Sequence, residues 1–495
     1  MPYRDLRGFL ARLESAGELV RVRAPVSARL EISAIADRVA KGPAALNKAL
    51  LFENVEGSAI PVLINAFGSA RRMAWALGVE DLNQLADDLG ALLRPDLPRG
   101  LAPMLNRAGE LWGALRSVGL RPHLVSHAPV QEVVLAGEQA GLAELPILQC
   151  WPKDGGRYIT LPTVITRDPA RGIRNVGMYR LQVQDDHTLG MHWQLHKGGA
   201  EHQRVAQEIG AACIPVAVSL GGDPATIWSG SAPLPPDIDE FLLAGWLRRS
   251  PVRLAKCVTQ PLEVPADAEI VIEGYVDPAE SGPEGPFGDH TGYYTPVDDY
   301  PIMHITAITR RKAPIYPATV VGRPPMEDYW MGKATERLFL PLMRLFLSEI
   351  VDLNMPAEGI FHNLVLVSIR KRFPGHPRKV IDGLWGLGLL MLAKCIVVFD
   401  EDVDVQNTAE AYWQMFGNVD WAHDVIIQEG PTDALDHASY RYAYGGKIGI
   451  DATAKGARDG YPRAWPERAV MPEAIRDLVA RRWQEYGLGE LVRSP

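Results

Sequence analysis

The chain reads as a mixed α/β protein built from more than one domain, and three observations lead there. At 495 residues it exceeds what one hydrophobic core usually holds, so two or three domains are expected. Its texture changes near residues 118 and 313, from mixed helix and strand, to short strands, to alternating helices and strands. With 47% apolar and 22% charged residues, its composition is that of an ordinary globular protein.

Residues 3–21 predict an amphipathic helix, because Leu6, Phe9, Leu10 and Leu13 recur at three- and four-residue spacing. The runs 49–55 (ALLFENV) and 60–67 (IPVLINAF) predict strands, and a helical stretch punctuated by Pro95, Pro98 and Pro103 follows over 80–118. Residues 1–118 are therefore assigned to an N-terminal α/β domain. From 119 to 313 come short β-rich runs such as TVITRD (163–168), IPVAVSLG (214–221), AEIVIEGYV (268–276) and MHITAITRR (303–311). Helices are expected at 199–210 and 237–247, and the many short strands suggest a barrel or sandwich. Residues 314–495 alternate: a helix over 333–350, a strand at 363–369, a helix over 377–392, a strand at 394–400, a helix at 409–416 and a strand at 424–430. That order implies a mostly parallel sheet in a C-terminal α/β domain.

The net charge of −9 argues against nucleic acid as the main partner. Arg310-Arg311-Lys312 and Arg370-Lys371-Arg372 are short enough to be solvated faces. Cys150, Cys213, Cys257 and Cys395 lie far apart with no CxxC pair, which excludes a thiolate zinc site and argues against a disulfide framework. The N-terminus has no apolar core of a signal peptide, and the longest apolar run, 383–393, is too short to span a bilayer. A cytoplasmic location is expected. Three tempting motifs fail. Gly332-Lys333-Ala334-Thr335 has Glu327 where a phosphate loop needs its first glycine. Gly383–Gly388 sits within an apolar helical pattern, and Asp400–Asp404 lacks the glycine and final acid of a calcium loop.

The segment 283–294 (PEGPFGDHTGYY) holds Glu284 and Asp289 five residues apart among prolines and glycines. Such a backbone cannot be helical, so a loop is expected to place both acids. Neighbouring carboxylates split their pKa values and can serve as acid and base. Alone, this remains compatible with a solvated turn. Two further segments, NVGMYR (175–180) and GMHWQLHKGG (190–199), lift it.

Together these three motifs resemble the UbiD family of reversible decarboxylases. The likeness extends to the opening YRDLRGFLARLESAGELVRV (3–22), to 300–328 and to the closing GGKIGIDATAK (445–455). The resemblance implies a central split β-barrel over 119–313 that binds prenylated FMN, and a C-terminal domain over 314–495 that forms homodimers or homohexamers. It implies Asn175, His192 and Glu240 as ligands of Mn²⁺ or Mg²⁺ bridging to the flavin phosphate, with K⁺ as a further ion. Amide oxygen, imidazole and carboxylate suit such a cation. Met178, Tyr179, Trp193 and Gln194 match positions lining the cofactor, Lys197 and Gly198 lie near its phosphate or ribityl chain, and His196 takes a packing role. Arg180, Glu284 and Asp289 match the catalytic triad, with Asp289 as proton donor and Arg180 also touching the cofactor.

The implied reaction is decarboxylation of an aromatic or conjugated acid through a covalent adduct with prenylated FMN, which a flavin prenyltransferase supplies. The closest analogue is the 4-hydroxy-3-polyprenylbenzoate decarboxylase of quinone synthesis. One departure matters. That branch commonly has arginine at the position of His192, whereas the cinnamate- and ferulate-type enzymes have histidine. A phenolic or naphthoate acid is the alternative substrate. Two rivals from other classes are a non-catalytic flavin-binding protein, which has no need of the triad, and a metal-dependent hydrolase.

Overall fold

The computed structural model describes residues 3–93, 121–195, 197–234 and 237–488. Its α/β character follows the sequence, with larger sheets of four, nine and five strands. The first helix, Leu6–Ser15, is shorter than expected. Asp5 caps it by accepting from Gly8 N at 3.1 Å, its four apolar residues are buried, and Gly17 at φ 67° turns the chain away. Leu19–Val22 then becomes a strand running parallel to Ala49–Phe52. Val62–Ile64 and Tyr316–Pro317 complete that sheet. The last strand brings residues just beyond 313 back to the N-terminal sheet. Asn83–Leu93 is helical, and 94–118 lie outside the described residues.

The central region is an open nine-stranded sheet rather than a closed barrel. Its order is Tyr158–Ile159, Leu181–Val183, Thr188–Met191, Asp298–Arg310, Ile270–Glu284, Ile214–Leu220, Pro162–Arg167 and Arg174–Gly177, with Val133–Ala136 added on Asp298–Arg310. All of these pairings are antiparallel. The two longest strands, Ile270–Glu284 and Asp298–Arg310, form its spine, and the first of them runs eight residues beyond the expected end at Val276. Helices Gly198–Ile209 and Glu240–Arg248 lie where expected.

In the C-terminal region the sheet is mixed, which corrects the expectation of a mostly parallel one. Leu364–Ile369, Cys395–Asp400 and Tyr444–Asp451 run parallel. Ile350–Asn354, which the sequence pattern does not reveal, and Val425–Pro431 add antiparallel edges. Short reversals into these edge strands leave no room for the crossover that a parallel neighbour needs. The long helix Glu327–Phe346 contains the Gly332-Lys333 pair, whose lysine is tied to Glu336 and Asn354. This helix also joins the regions: Trp228 Nε1 donates to Met331 O at 3.1 Å, and Glu327 accepts from Asn65 N and Phe67 N at 2.9 Å each. No helix among the described residues is long and apolar enough to cross a membrane.

Candidate active site

Arg180 stands in the link between Arg174–Gly177, the last strand of the central sheet, and Leu181–Val183, second from its other end. Its guanidinium grips Glu284 with two donors, Nε to Oε1 at 2.8 Å and Nη2 to Oε2 at 3.1 Å. Nη1 donates to Asp289 Oδ2 at 2.7 Å, and Nη2 also reaches Thr295 Oγ1 at 3.2 Å. The same group lies over the Phe287 ring, 4.5 Å from its centroid. Three sequence-predicted residues, Arg180 lying more than one hundred positions from the two acids, thus form one buried ion cluster. Glu284 is the last residue of the Ile270–Glu284 strand, so it sits on a regular element and only Asp289 belongs to the loop. The expectation that a loop places both acids is corrected here: Pro283 lies near a strand end, where its missing N–H costs little.

Side chains from outside fix the shape of that loop. Gln182 Oε1 accepts from Gly285 N at 2.7 Å, and Asp154 Oδ1 accepts from Gly288 N at 2.8 Å. A Cβ on Gly288 would meet Trp151 Cδ1 at 2.2 Å, so only glycine lets the loop pass that indole. Strand Phe287–Gly288 then pairs with Tyr294–Thr295 and directs Asp289 back at Arg180.

Of the residues matched to metal and cofactor, His192 touches this cluster directly, and Asn175, Tyr179, Gly198 and Glu240 form a second group around Val176. His192 Nδ1 donates to Glu284 Oε2 at 3.0 Å, which leaves Nε2 as its ligand nitrogen, in the pattern of a carboxylate-backed metal histidine. Glu240 opens helix Glu240–Arg248 and accepts from Val176 N, next to Asn175, at 2.9 Å. Burial pushes its carboxyl up to about 7, as for an acid short of a cation. Tyr179 Oη accepts from Gly199 N at 3.1 Å and lies 3.4 Å from Asn175 Nδ2. A Cβ on Gly198 would stand 2.0 Å from Asn175 Oδ1, so this position is a cradle that only glycine allows. Helix Gly198–Ile209 starts with no side-chain cap, and Lys197 flanks it; a helix start of this kind suits a phosphate. Trp193 Nε1 is buried without a partner. The donor set and this cradle fit a phosphate-bearing flavin held through a divalent ion. Met178 packs into the core that contains Trp75 and Trp228, and Gln194 Nε2 reaches across to Asp433 Oδ1 at 3.2 Å. His196 lies outside the described residues.

Comparison with known proteins shows the family. Family models for 3-octaprenyl-4-hydroxybenzoate carboxy-lyase match its N-terminal domain over 10–92, its Rift-related domain over 123–324 and its C-terminal domain over 329–452. The chain belongs to the UbiD family of decarboxylases. Among UbiD relatives, an uncharacterized protein of Aquifex aeolicus is 50% identical, the match covering 98% of this chain and 99% of that one. The UbiD-class enzyme HmfF of Pelotomaculum thermopropionicum, solved with FMN, is 29% identical with a TM-score of 0.79, covering 95% of this chain and 98% of its own. The closed form of the vanillic acid decarboxylase of Sedimentibacter hydroxybenzoicus is 26% identical with a TM-score of 0.83, covering both chains fully.

Three residues around the Arg180 cluster escaped the sequence reading: His290, His362 and Asp433. His290 Nδ1 donates to Asp289 Oδ1 at 2.9 Å, and its Nε2 lies 2.7 Å from His362 Nε2. His362 Nε2 is 3.7 Å from Asp433 Oδ2. His290 could have been flagged, because it follows Asp289 directly. The other two come from the C-terminal domain, and nothing local in the sequence points to them. Burial opposes charge on Asp289, yet His290 and then Arg180 outweigh it and hold the carboxyl well below its usual range. Burial likewise opposes charge on His290, but Asp289 raises it to about 9. Burial and Arg180 together keep His192 below the usual histidine value.

A pH dependence follows. A histidine raised from its usual 6.5 to about 9 contributes stability fully below about pH 6.5 and loses it as pH rises through 9. The melting temperature of the wild type should therefore exceed that of His290→Gln most at pH 6, with the gap closing by pH 10. A constant gap measured across that range by thermal shift would show that His290 carries no such charge.

Proposed function

We propose that this chain catalyses the reversible, non-oxidative decarboxylation of an aromatic or conjugated carboxylic acid on prenylated FMN. The observation that carries the reading is the single guanidinium shared by Glu284 and Asp289 at 2.7 to 3.1 Å. A flavin-binding protein without turnover has no use for a buried acid pair beside the cofactor position. HmfF, solved with FMN and in an evolved form with prenylated FMN, and the vanillic acid decarboxylase support the same reading.

When bound, the prenylated flavin supplies the electron sink for carbon–carbon cleavage. Asn175, His192 Nε2 and Glu240 hold its phosphate through Mn²⁺ or Mg²⁺, with K⁺ as a further ion, and a flavin prenyltransferase supplies the cofactor. Lys197 and the Gly198 amide would face the phosphate, while Tyr179, Trp193 and Gln194 would line the ring. Arg180 orients the substrate carboxylate and keeps Glu284 ionised. Asp289 passes a proton to the carbon that loses carbon dioxide. The closest analogue remains the prenylated 4-hydroxybenzoate of quinone synthesis, and His192 in place of arginine favours a phenolic or naphthoate acid as the alternative. The metal-hydrolase reading loses its appeal because His192 leans on Glu284, which leaves no separate base beside the ligands.

The protein is also proposed to assemble as a homodimer or homohexamer through its C-terminal domain. Leu384 and Trp385 are spent on that domain's own core, whereas Trp413 and Phe416 are 63% and 69% exposed. Helix Glu473–Arg482 buries none of its residues and leaves Ile475, Leu478 and Val479 open. Light scattering should give a mass at least twice the 54.4 kDa chain; a monomer would refute the assembly.

Asp289→Asn should bind flavin normally and lose about 10²–10⁴ in rate, because an amide cannot exchange the proton. Turnover near wild type would remove Asp289 from the mechanism. His192→Ala and Glu240→Ala should each lose the divalent ion and most of the flavin, read by metal analysis and by flavin absorbance after co-expression with a flavin prenyltransferase. Full retention of both would refute the ligand assignment.

A further inference from the structure

Each decarboxylation consumes one proton, which ends on the carbon that carried the carboxylate. Asp289 accepts from Arg180 Nη1 at 2.7 Å and from His290 Nδ1 at 2.9 Å, so the proton it delivers must rest on a neighbour between turnovers. We propose that His290 is the proton store for Asp289, and that His362 and Asp433 are positioning residues that hold it in its doubly protonated form. The inference rests on the decarboxylase reading above.

Geometry carries it. Asp289 Oδ1 receives the Nδ1 proton at 2.9 Å, and the lone pair of His362 Nε2 lies 2.7 Å from His290 Nε2. Both N–H groups of an imidazolium are thus satisfied, one by a carboxylate and one by a neutral ring. Asp433 Oδ1 is pinned by Gln194 and by Leu435 N at 2.9 Å, which turns Oδ2 towards His362. Ile360 and Phe361 take φ values of 51° and 35°, where β-branched and bulky residues are strained. Such strain persists only where the surroundings fix it, and here it aims His362 at His290. Side-chain exposure rises from 7% at Asp289 to 15% at His290 and 23% at His362, so the store opens towards solvent on the His362 side.

The groups facing His290 are Asp289, Asp328, Asp433 and His362, with Arg180 beyond Asp289 and Lys197 near His362. Burial and the charge on His290 push His362 down to about 4, which keeps its ring neutral and able to accept. In turnover, His290 Nδ1–H passes its proton to Asp289, and Asp289 passes it to the substrate carbon. Neutral His290 then regains one proton from water, so substrate anion plus one proton becomes product plus carbon dioxide. A metal site built on the same three side chains fits less well. Ligand nitrogens around a tetrahedral ion stand about 3.3 Å apart for bonds of about 2.0 Å, wider than the separation of these rings.

The test has two arms. In the first, histidine-selective ¹⁵N labelling of the substrate-free protein should show His290 protonated on both nitrogens at pH 7, assigned by its loss in His290→Gln. His362→Ala should lower the pH at which it titrates by at least one unit, and His362→Gln, whose amide oxygen can accept, should restore it. In the second, flavin-loaded enzyme is given 4-hydroxybenzoate and vanillate. The wild-type rate should fall as pH rises through about 9. His290→Gln should lose that limb and run at least tenfold slower at pH 7. A neutral His290 at pH 7, no response to His362→Ala, or a tightly bound divalent ion that His362→Ala releases would each overturn the proposal. If wild type turns over neither acid, the second arm counts against the decarboxylase reading with these acids, and the labelling arm alone decides the store.

Discussion

The bond on which this site depends is the two-pronged grip of Arg180 on Glu284. Taking ions out of water costs several kcal/mol each, and only close pairing with every donor satisfied offsets it. Arg180 is 8% exposed and Glu284 fully buried, so neither tolerates loss of the other. Asp289 adds a second negative charge to a guanidinium that already has a partner. Taken with the imidazolium of His290, the four groups sum to zero charge. That neutrality explains how two carboxylates sit near one another in a dry pocket without either picking up a proton of its own.

His192 links this cluster to the proposed cation site. One ring nitrogen rests on Glu284, and the other is free to ligate. A change in the acid cluster would therefore reach a cation held on the other nitrogen through a single ring, and the reverse would hold too. Gly198 and Asn175 serve the same end by contact rather than charge, because the helix start can approach Asn175 only without a Cβ.

Much of this was legible in the sequence, for physical reasons. The apolar spacing of Leu6, Phe9, Leu10 and Leu13 fixes a helix face, and alternation fixes most central strands. Arg180, Glu284 and Asp289 were found as motif residues, and the fold joins them. Other features have no local signature. The extension of Ile270–Glu284 past Val276 passes through a break in register with Asp298–Arg310, and only pairing with that distant strand holds it. The antiparallel edges of the C-terminal sheet depend on which neighbour accepts a strand, which composition cannot tell. His362 and Asp433 lie 72 and 143 positions from His290 and look like ordinary loop residues until the domains meet.

The pocket is assembled from two unequal walls. The central sheet brings Arg180, Glu284, Asp289 and His192, locked by buried ion pairs and by glycines that admit no larger residue. The C-terminal domain brings His362 and Asp433, which touch that wall chiefly through Gln194 and His290. Substitution is thus unevenly tolerated: the sheet wall is fixed throughout, whereas on the other wall only His362, Asp433 and the backbone that aims them are fixed. A lineage carrying this fold can change what the pocket accepts at the remaining loop positions of that wall while its chemistry stays intact, and a protein engineer has the same positions to randomise.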